Sequence, residues 1–180
     1  IQDGAIQVDY LRVEDEWCSM PNDLVGVGSY QAWVLENFPT ALTNDPSREA
    51  TDWGEDADPE GDEISNLKEY AFGGDPSIKD PSILPKAIHL GNDVAIAYRR
   101  LKGGSGVTGI SYTAGGISYR VQVSETLKAL EWNAGSDYFD VEGTPTDNGD
   151  GTETIQLKLK IPANSNPQRI FSRVDLELES

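Results

Sequence analysis

The segment GGISYRVQVS (Gly115–Ser124) places Ile117, Tyr119, Val121 and Val123 at every second position. A period of two is the signature of a strand with one face in a core and the other in water. The same period recurs on both sides. Val94, Ile96 and Tyr98 alternate in DVAIAYRRL, and Ile155, Leu157, Leu159 and Ile161 in TIQLKLKIP. In RIFSRVDLEL the apolar positions are Ile170, Val174, Leu176 and Leu178. Between these runs lie the turn-rich pieces LKGGSG and YTAGG and the hairpin signal TDNGDGT. Several short strands with one apolar face each predict an antiparallel β-sandwich over residues 85–180. DNGDG resembles a calcium loop in composition. With strands on both sides and no carboxylate further along at the ligand spacing, it reads as a hairpin turn.

Composition agrees with a packed domain. The 180 residues are 37% hydrophobic, with seven Tyr, four Trp and four Phe, enough for a real core. Eighteen Gly and ten Pro suit many turns. A net charge of −17 argues against a nucleic-acid partner, which requires a basic face. It suits a secreted or cell-surface protein, a cation ligand or a salty habitat. The single cysteine, Cys18, allows no disulfide within the chain and reads as a partly buried apolar thiol. No run reaches the length of a membrane helix, so membrane insertion is not expected.

Upstream of Pro85 the pattern is different. AIQVDYLRV (residues 5–13) alternates Ile6, Val8 and Tyr10 with Gln7, Asp9 and Arg12 and reads as a strand entered midway. Residues 1–20 are therefore expected to be the terminal strand and connector of a preceding, mostly absent domain of the same polypeptide. Trp17 is expected to dock that connector. Residues 21–84 form a helical segment and linker. Ser29 can cap a helix over YQAWVLENF, with Tyr30, Trp33, Val34 and Phe38 on one face and Pro39 ending it. Trp33 is expected to pack on a second helix. Residues 40–57 are polar and read as irregular. That second helix is predicted from Ser65 to Phe72, with Leu67, Tyr70 and Ala71 inward and Gly73-Gly74 as its stop.

Before this helix, DADPEGDEISNLKEYAFGGDP (Asp56–Pro76) crowds Asp56, Asp58, Glu60, Asp62, Glu63 and Glu69 together. Like charges this close either stand in water or hold a cation between them. An EF-hand-type loop takes oxygen ligands at positions 1, 3 and 5, a carbonyl at 7, a ligand or water at 9 and a bidentate Glu at 12. Counting from Asp58 gives Asp58, Glu60, Asp62, the Ile64 carbonyl, Asn66 and Glu69. Asp56 could add an oxygen or serve a second ion. Counting from Asp56 instead puts Gly61 at the usual glycine position but Leu67 at position 12, where it cannot ligate. The Asp58 register leaves Glu63 at position 6, where a positive φ carries a steric cost. It also puts Glu60, longer than Asp, at position 3. All-oxygen ligands point to calcium and away from zinc. The alternative is a solvated acidic stretch complementing the helix dipole.

The order of YQAW, the acidic loop, a proline linker and a β-domain with ISYRVQVSETL and RIFSRVDLEL resembles the C-terminal regions of large secreted proteins of aquatic bacteria. In those, a D-x-D-x-D-G-D-G-x-S-N-x-x-E-Y-x-x-G-x-D-P segment precedes a terminal β-sandwich. The segment is similar to the calcium loops of thrombospondin type 3 repeats and dockerins. The resemblance covers about residues 29–180, and Glu60 and Glu63 depart from its Asp and Gly. Separately, IQVDYLRV is similar to the D-Y-x-R-V end of glycoside hydrolase family 16 and lectin-like jelly rolls. Together these imply a calcium-binding accessory module of a secreted polysaccharide-degrading enzyme.

Catalysis is not expected of this chain. No E-x-D-x-x-E strand, G-x-S-x-G elbow, P-loop or dinucleotide fingerprint occurs. His89, the only histidine, reads as a structural strand residue. A polysaccharide partner would need exposed aromatic faces, for which Trp53, Tyr112, Trp132 and Tyr138 are the candidates. Aromatics covering the edge of a small core are the competing reading. A structural module for surface retention, secretion or assembly, with no sugar ligand, is the alternative function.

Overall fold

A computed structural model describes residues 29–91, 93–128, 131–160 and 169–179. The readings of residues 5–13, Trp17, Cys18 and Ile161 fall outside these. The described residues are mainly β, with seven strands in two antiparallel sheets. Strands β1 (Lys86–Leu90), β2 (Asp93–Leu101), β6 (Thr152–Leu159) and β5 (Phe139–Asp147) lie side by side in that order. The second sheet orders β3 (Tyr112–Ala114), β4 (Ile117–Ser124) and β7 (Phe171–Leu178).

The alternation becomes burial along β4 and in the middle of β2 and β6, while Val174, Leu176 and Leu178 of β7 are only partly buried. Ile117, Tyr119 and Val121 of β4 are sealed from solvent, as are Ile155 and Leu157 of β6, and all join one apolar cluster with Ile96 and Tyr98 of β2. Burying each such side chain contributes roughly 1.5–3 kcal/mol. Two tyrosines of the second sheet also bond to the end of β2 in the first. The Tyr112 hydroxyl donates to the Leu101 carbonyl at 3.0 Å, and the Leu101 N–H donates to the Tyr119 hydroxyl at 3.2 Å. Arg100, buried beside them, pairs with Glu153 at 2.7 Å and lies 3.4 Å from the Tyr112 ring centre.

Several expectations need correcting. Val94 is 41% exposed, because it stands at the outer end of β2. β3 lies within the piece read as a turn, where three residues are too few to show a period. β5 shows no period in the sequence because Gly143 and Pro145 interrupt it and every residue after Phe139 is exposed or half-exposed. The stretch 40–57 is not irregular. It holds a four-residue helix α2 (Thr40–Thr43), a 3-10 turn (Pro46–Arg48) and a π turn (Glu49–Trp53). Asp45 caps the second of these by accepting from the Ser47 N–H at 2.9 Å.

Two longer helices hold this segment to the sheets. In α1 (Tyr30–Asn37) the Ser29 hydroxyl accepts from the Ala32 N–H, so the predicted cap forms. Helix α3 (Asn66–Phe72) ends at Gly73 with φ 71°, the left-handed stop a glycine supplies. Trp33 meets the Tyr70 ring at 5.8 Å between centres, joining α1 to α3. The Tyr70 hydroxyl donates to the Gly115 carbonyl at 2.7 Å and the Tyr119 hydroxyl to the Ala71 carbonyl at 2.8 Å. Thus α3, which carries Glu69, is fixed to the second sheet.

Candidate metal centre

The acidic loop is closed at its neck by backbone bonds. The Asn66 N–H donates to the Ala57 carbonyl at 2.9 Å, and the Leu67 N–H to the Glu55 carbonyl at 3.0 Å. Inside the neck the chain curls around Asp58. Its Oδ1 accepts from the N–H groups of Gly61 (2.8 Å) and Asp62 (3.1 Å), and its Oδ2 from that of Glu63 (2.8 Å). Asp62 Oδ1 accepts from Ile64 at 2.9 Å. Such tight curvature needs left-handed residues. Gly61 has φ 72°, and Glu63 also has φ 72°, alone among the described non-glycine residues in being positive. Gly61 is the sixth position counted from Asp56 and Glu63 the sixth counted from Asp58, so both registers find a left-handed residue there.

Carboxylate oxygens of Asp58, Glu60 and Asp62 lie within 4.8 Å of one another. Oxygens on opposite sides of a calcium ion are separated by about 5 Å, twice its 2.3–2.6 Å bond length. The three groups therefore have the spacing of one shell and could hold a metal ion. Glu69, the predicted twelfth-position ligand on α3, is not part of that group of three, but its carboxylate lies in the field of Glu60, Asp62 and Asp58. It is 1% exposed, and its Oε2 is buried with no hydrogen-bond partner. Burial, followed by the charges of Glu60, Asp62, Asp75 and Asp58, pushes its pKa up to about 8. Both Glu60 oxygens are likewise buried and unpartnered, and burial with the charges of Asp62 and Asp58 raises its pKa. Asp58 goes the other way. Burial opposes its charge, but three backbone N–H groups and the Lys79 ammonium outweigh that and hold its pKa low.

The remaining residues divide. Ile64 is buried, with its N–H on Asp62. Asn66 is fully buried, and its side-chain amide donates to the carbonyls of Asp52 (3.0 Å) and Gly54 (2.9 Å). It therefore clasps the helix entry, while its Oδ1 stays buried and unpartnered. Asp56 is exposed, lines a separate groove and is not part of the carboxylate group. Sequence reasoning missed the downstream wall. Asp75 adds to the field on Glu69, Lys79 Nζ donates to the Gly61 carbonyl at 2.9 Å, and the Asp80 N–H donates to Asp62 Oδ2 at 3.2 Å. These come from beyond the helix, where loop spacing gives no signal.

The aromatics expected to face a sugar do not form one surface. Tyr112 is 6% exposed under the Arg100 guanidinium, which corrects its expectation as a platform. Trp53 packs against the core, and its carbonyl accepts from the Tyr30 hydroxyl. Trp132 is half-buried, with Arg173 over its ring at 4.3 Å. Tyr138 packs at the core edge beside Leu159 and Ile170. The fold and site thus define a mainly β chain of two antiparallel sheets with an acidic group fit for a metal ion. Comparison with protein-family models, curated proteins and solved structures finds no match.

Proposed function

We propose that this chain is a non-catalytic, calcium-held structural module: an antiparallel β-sandwich preceded by a helical segment whose loop binds the ion. The observation that carries it is Glu69, a buried carboxylate with an unpartnered oxygen in the field of four other acids. An ionised carboxylate in that position is costly unless a cation accompanies it. Asp58, Glu60 and Asp62 would hold the ion from the loop, with Glu69 joining from α3. Calcium, a hard cation taking six to eight oxygens, suits the donor set better than a metal preferring nitrogen or sulfur.

The ion supplies positive charge that cancels the repulsion among these carboxylates. The chain supplies the rest. Asp58 gathers the backbone, Glu69 ties the loop to α3, and Tyr70 and Tyr119 tie α3 to the second sheet. Binding would therefore stiffen the joint between the helical segment and the sheets, coupling metal affinity to folding. A spacer or assembly role in a secreted or surface protein fits this better than a polysaccharide platform, since the candidate aromatics are buried, capped or apart.

Thermal melts in calcium and in chelator test the proposal. At free calcium of 1,000 times Kd, binding to the folded chain adds about 4 kcal/mol. The midpoint is expected to rise in calcium and to stay put in Glu69→Gln. An unchanged wild-type midpoint would sink the metal role. Saturable binding to algal or plant glycans, lost in Trp132→Ala, would favour the carbohydrate-binding reading instead.

A further inference from the structure

Two copies of one turn follow α3. Asp75-Pro76-Ser77-Ile78 and Asp80-Pro81-Ser82-Ile83 are identical in sequence, with Lys79 between them. In the first copy Asp75 Oδ1 accepts from the Ser77 N–H at 2.9 Å, and in the second Asp80 Oδ1 accepts from the Ser82 N–H at 2.9 Å. An aspartate bonded to the backbone two residues on, followed by a proline of fixed φ, makes a stiff turn. The second copy is also anchored, since Ile83 is 2% exposed where Ile78 is 55% exposed. Lys79 is thereby carried to the acidic loop on a fixed backbone. The neighbouring Asp80 N–H bonds Asp62 Oδ2 at 3.2 Å, and Lys79 Nζ donates to the Gly61 carbonyl at 2.9 Å.

Gly61 lies between Glu60 and Asp62, two of the three carboxylates grouped within 4.8 Å. The ammonium bonds the backbone there and not one of the acids, so its charge acts on the group as a whole. Of the charges that shift Asp58, Glu60 and Glu69, that of Lys79 alone is positive. Coulomb's law then gives it two opposite effects. Without an ion it offsets the repulsion among the carboxylates. With a divalent ion between them it repels that ion, twice as strongly as it would a monovalent one.

We propose that Lys79 is a tethered counter-ion of the acidic loop, stabilising the ion-free fold and weakening calcium binding; this rests on the calcium reading above. Removing Lys79 also removes the bond to Gly61, which would loosen the loop and oppose the gain in affinity. That loss is the smaller effect. The side chain is exposed, and three N–H bonds to Asp58 already shape the loop.

Calcium titration calorimetry on the full 180-residue chain tests it, with melting curves alongside. Lys79→Met keeps the apolar stem and loses the charge. It is expected to bind calcium about three- to tenfold tighter than wild type at low ionic strength. The gain should shrink at about 1 M salt, where the Debye length is about 3 Å. Lys79→Arg, which keeps the charge, should match wild type within about twofold. In chelator Lys79→Met should melt below wild type, so that one variant is the less stable without calcium and the tighter binder with it. Equal or weaker calcium affinity in Lys79→Met overturns the proposal and leaves the calcium site standing. A chelator midpoint of Lys79→Met at or above wild type overturns it too. Calcium binding in Lys79→Met alone supports the counter-ion but removes the calcium reading for the native chain. Neither heat nor a melting shift in any of the three removes both.

Discussion

Glu63 offers the sharpest test of the loop geometry. It holds φ 72°, a conformation that costs an L-residue roughly 1–2 kcal/mol because its Cβ crowds the backbone. Glu63→Gly removes that crowding but gives the unfolded chain extra freedom worth roughly 0.5–1 kcal/mol. The difference is a net stabilisation of about 0.5–1 kcal/mol. Glu63→Ala removes the same charge while keeping Cβ, so the gap between the two variants isolates the backbone from the electrostatics. Urea unfolding in chelator measures it. With m of about 2 kcal/mol/M, the Gly variant's midpoint should lie roughly 0.3–0.5 M above the Ala variant's. At an ordinary exposed position the order would be the reverse, since Ala beats Gly. Finding Ala above Gly would refute the left-handed turn at residue 63, and with it the register counted from Asp58.

Glu69 predicts a pH dependence. Its folded pKa is raised to about 8 in the metal-free chain, so its contribution to stability is fully present below the ordinary 4.5 and is lost as pH rises through 8. In chelator, wild type should lose about 1.4 kcal/mol per pH unit relative to Glu69→Gln across that window, while saturating calcium should abolish the slope. At pH 7, calcium binding should also release a proton from Glu69, seen as a dependence of the calorimetric heat on buffer ionisation enthalpy. Tyr119→Phe should destabilise by about 1–3 kcal/mol in a denaturant titration, because the buried Ala71 carbonyl loses its donor and the Leu101 N–H its acceptor. Gly73→Ala should cost more than the roughly 1–2 kcal/mol of a left-handed turn alone. Its Cβ would come within 2.6 Å of Thr152 Cγ2, and a thermal shift no larger than for an exposed turn glycine would argue against this contact between the end of α3 and β6.

What could be read in advance followed from how far each signal reaches along the chain. Long alternating runs such as Ile117 to Val123 report a face in contact with a core, and the face they predicted is the buried one. β5 defeated the same rule because an edge strand with a bulge buries almost nothing beyond Phe139, so selection for an apolar face is absent there. The loop was legible for a different reason. Asp58, Glu60 and Asp62 stand at alternate positions of one short loop, so their proximity follows from local spacing, and the left-handed residues that curl the loop, Gly61 and Glu63, lie among them. Asp75, Lys79 and Asp80 obey no such spacing. They reach the loop only because Gly73 and Gly74 turn the chain back after α3, with Gly74 lying so close to Ile83 and Glu69 that a side chain there would collide. The glycine pair, read from sequence as a helix stop, is thus also what closes the downstream wall of the site. The charge balance around Glu69 is consequently decided by a turn as much as by the acids themselves.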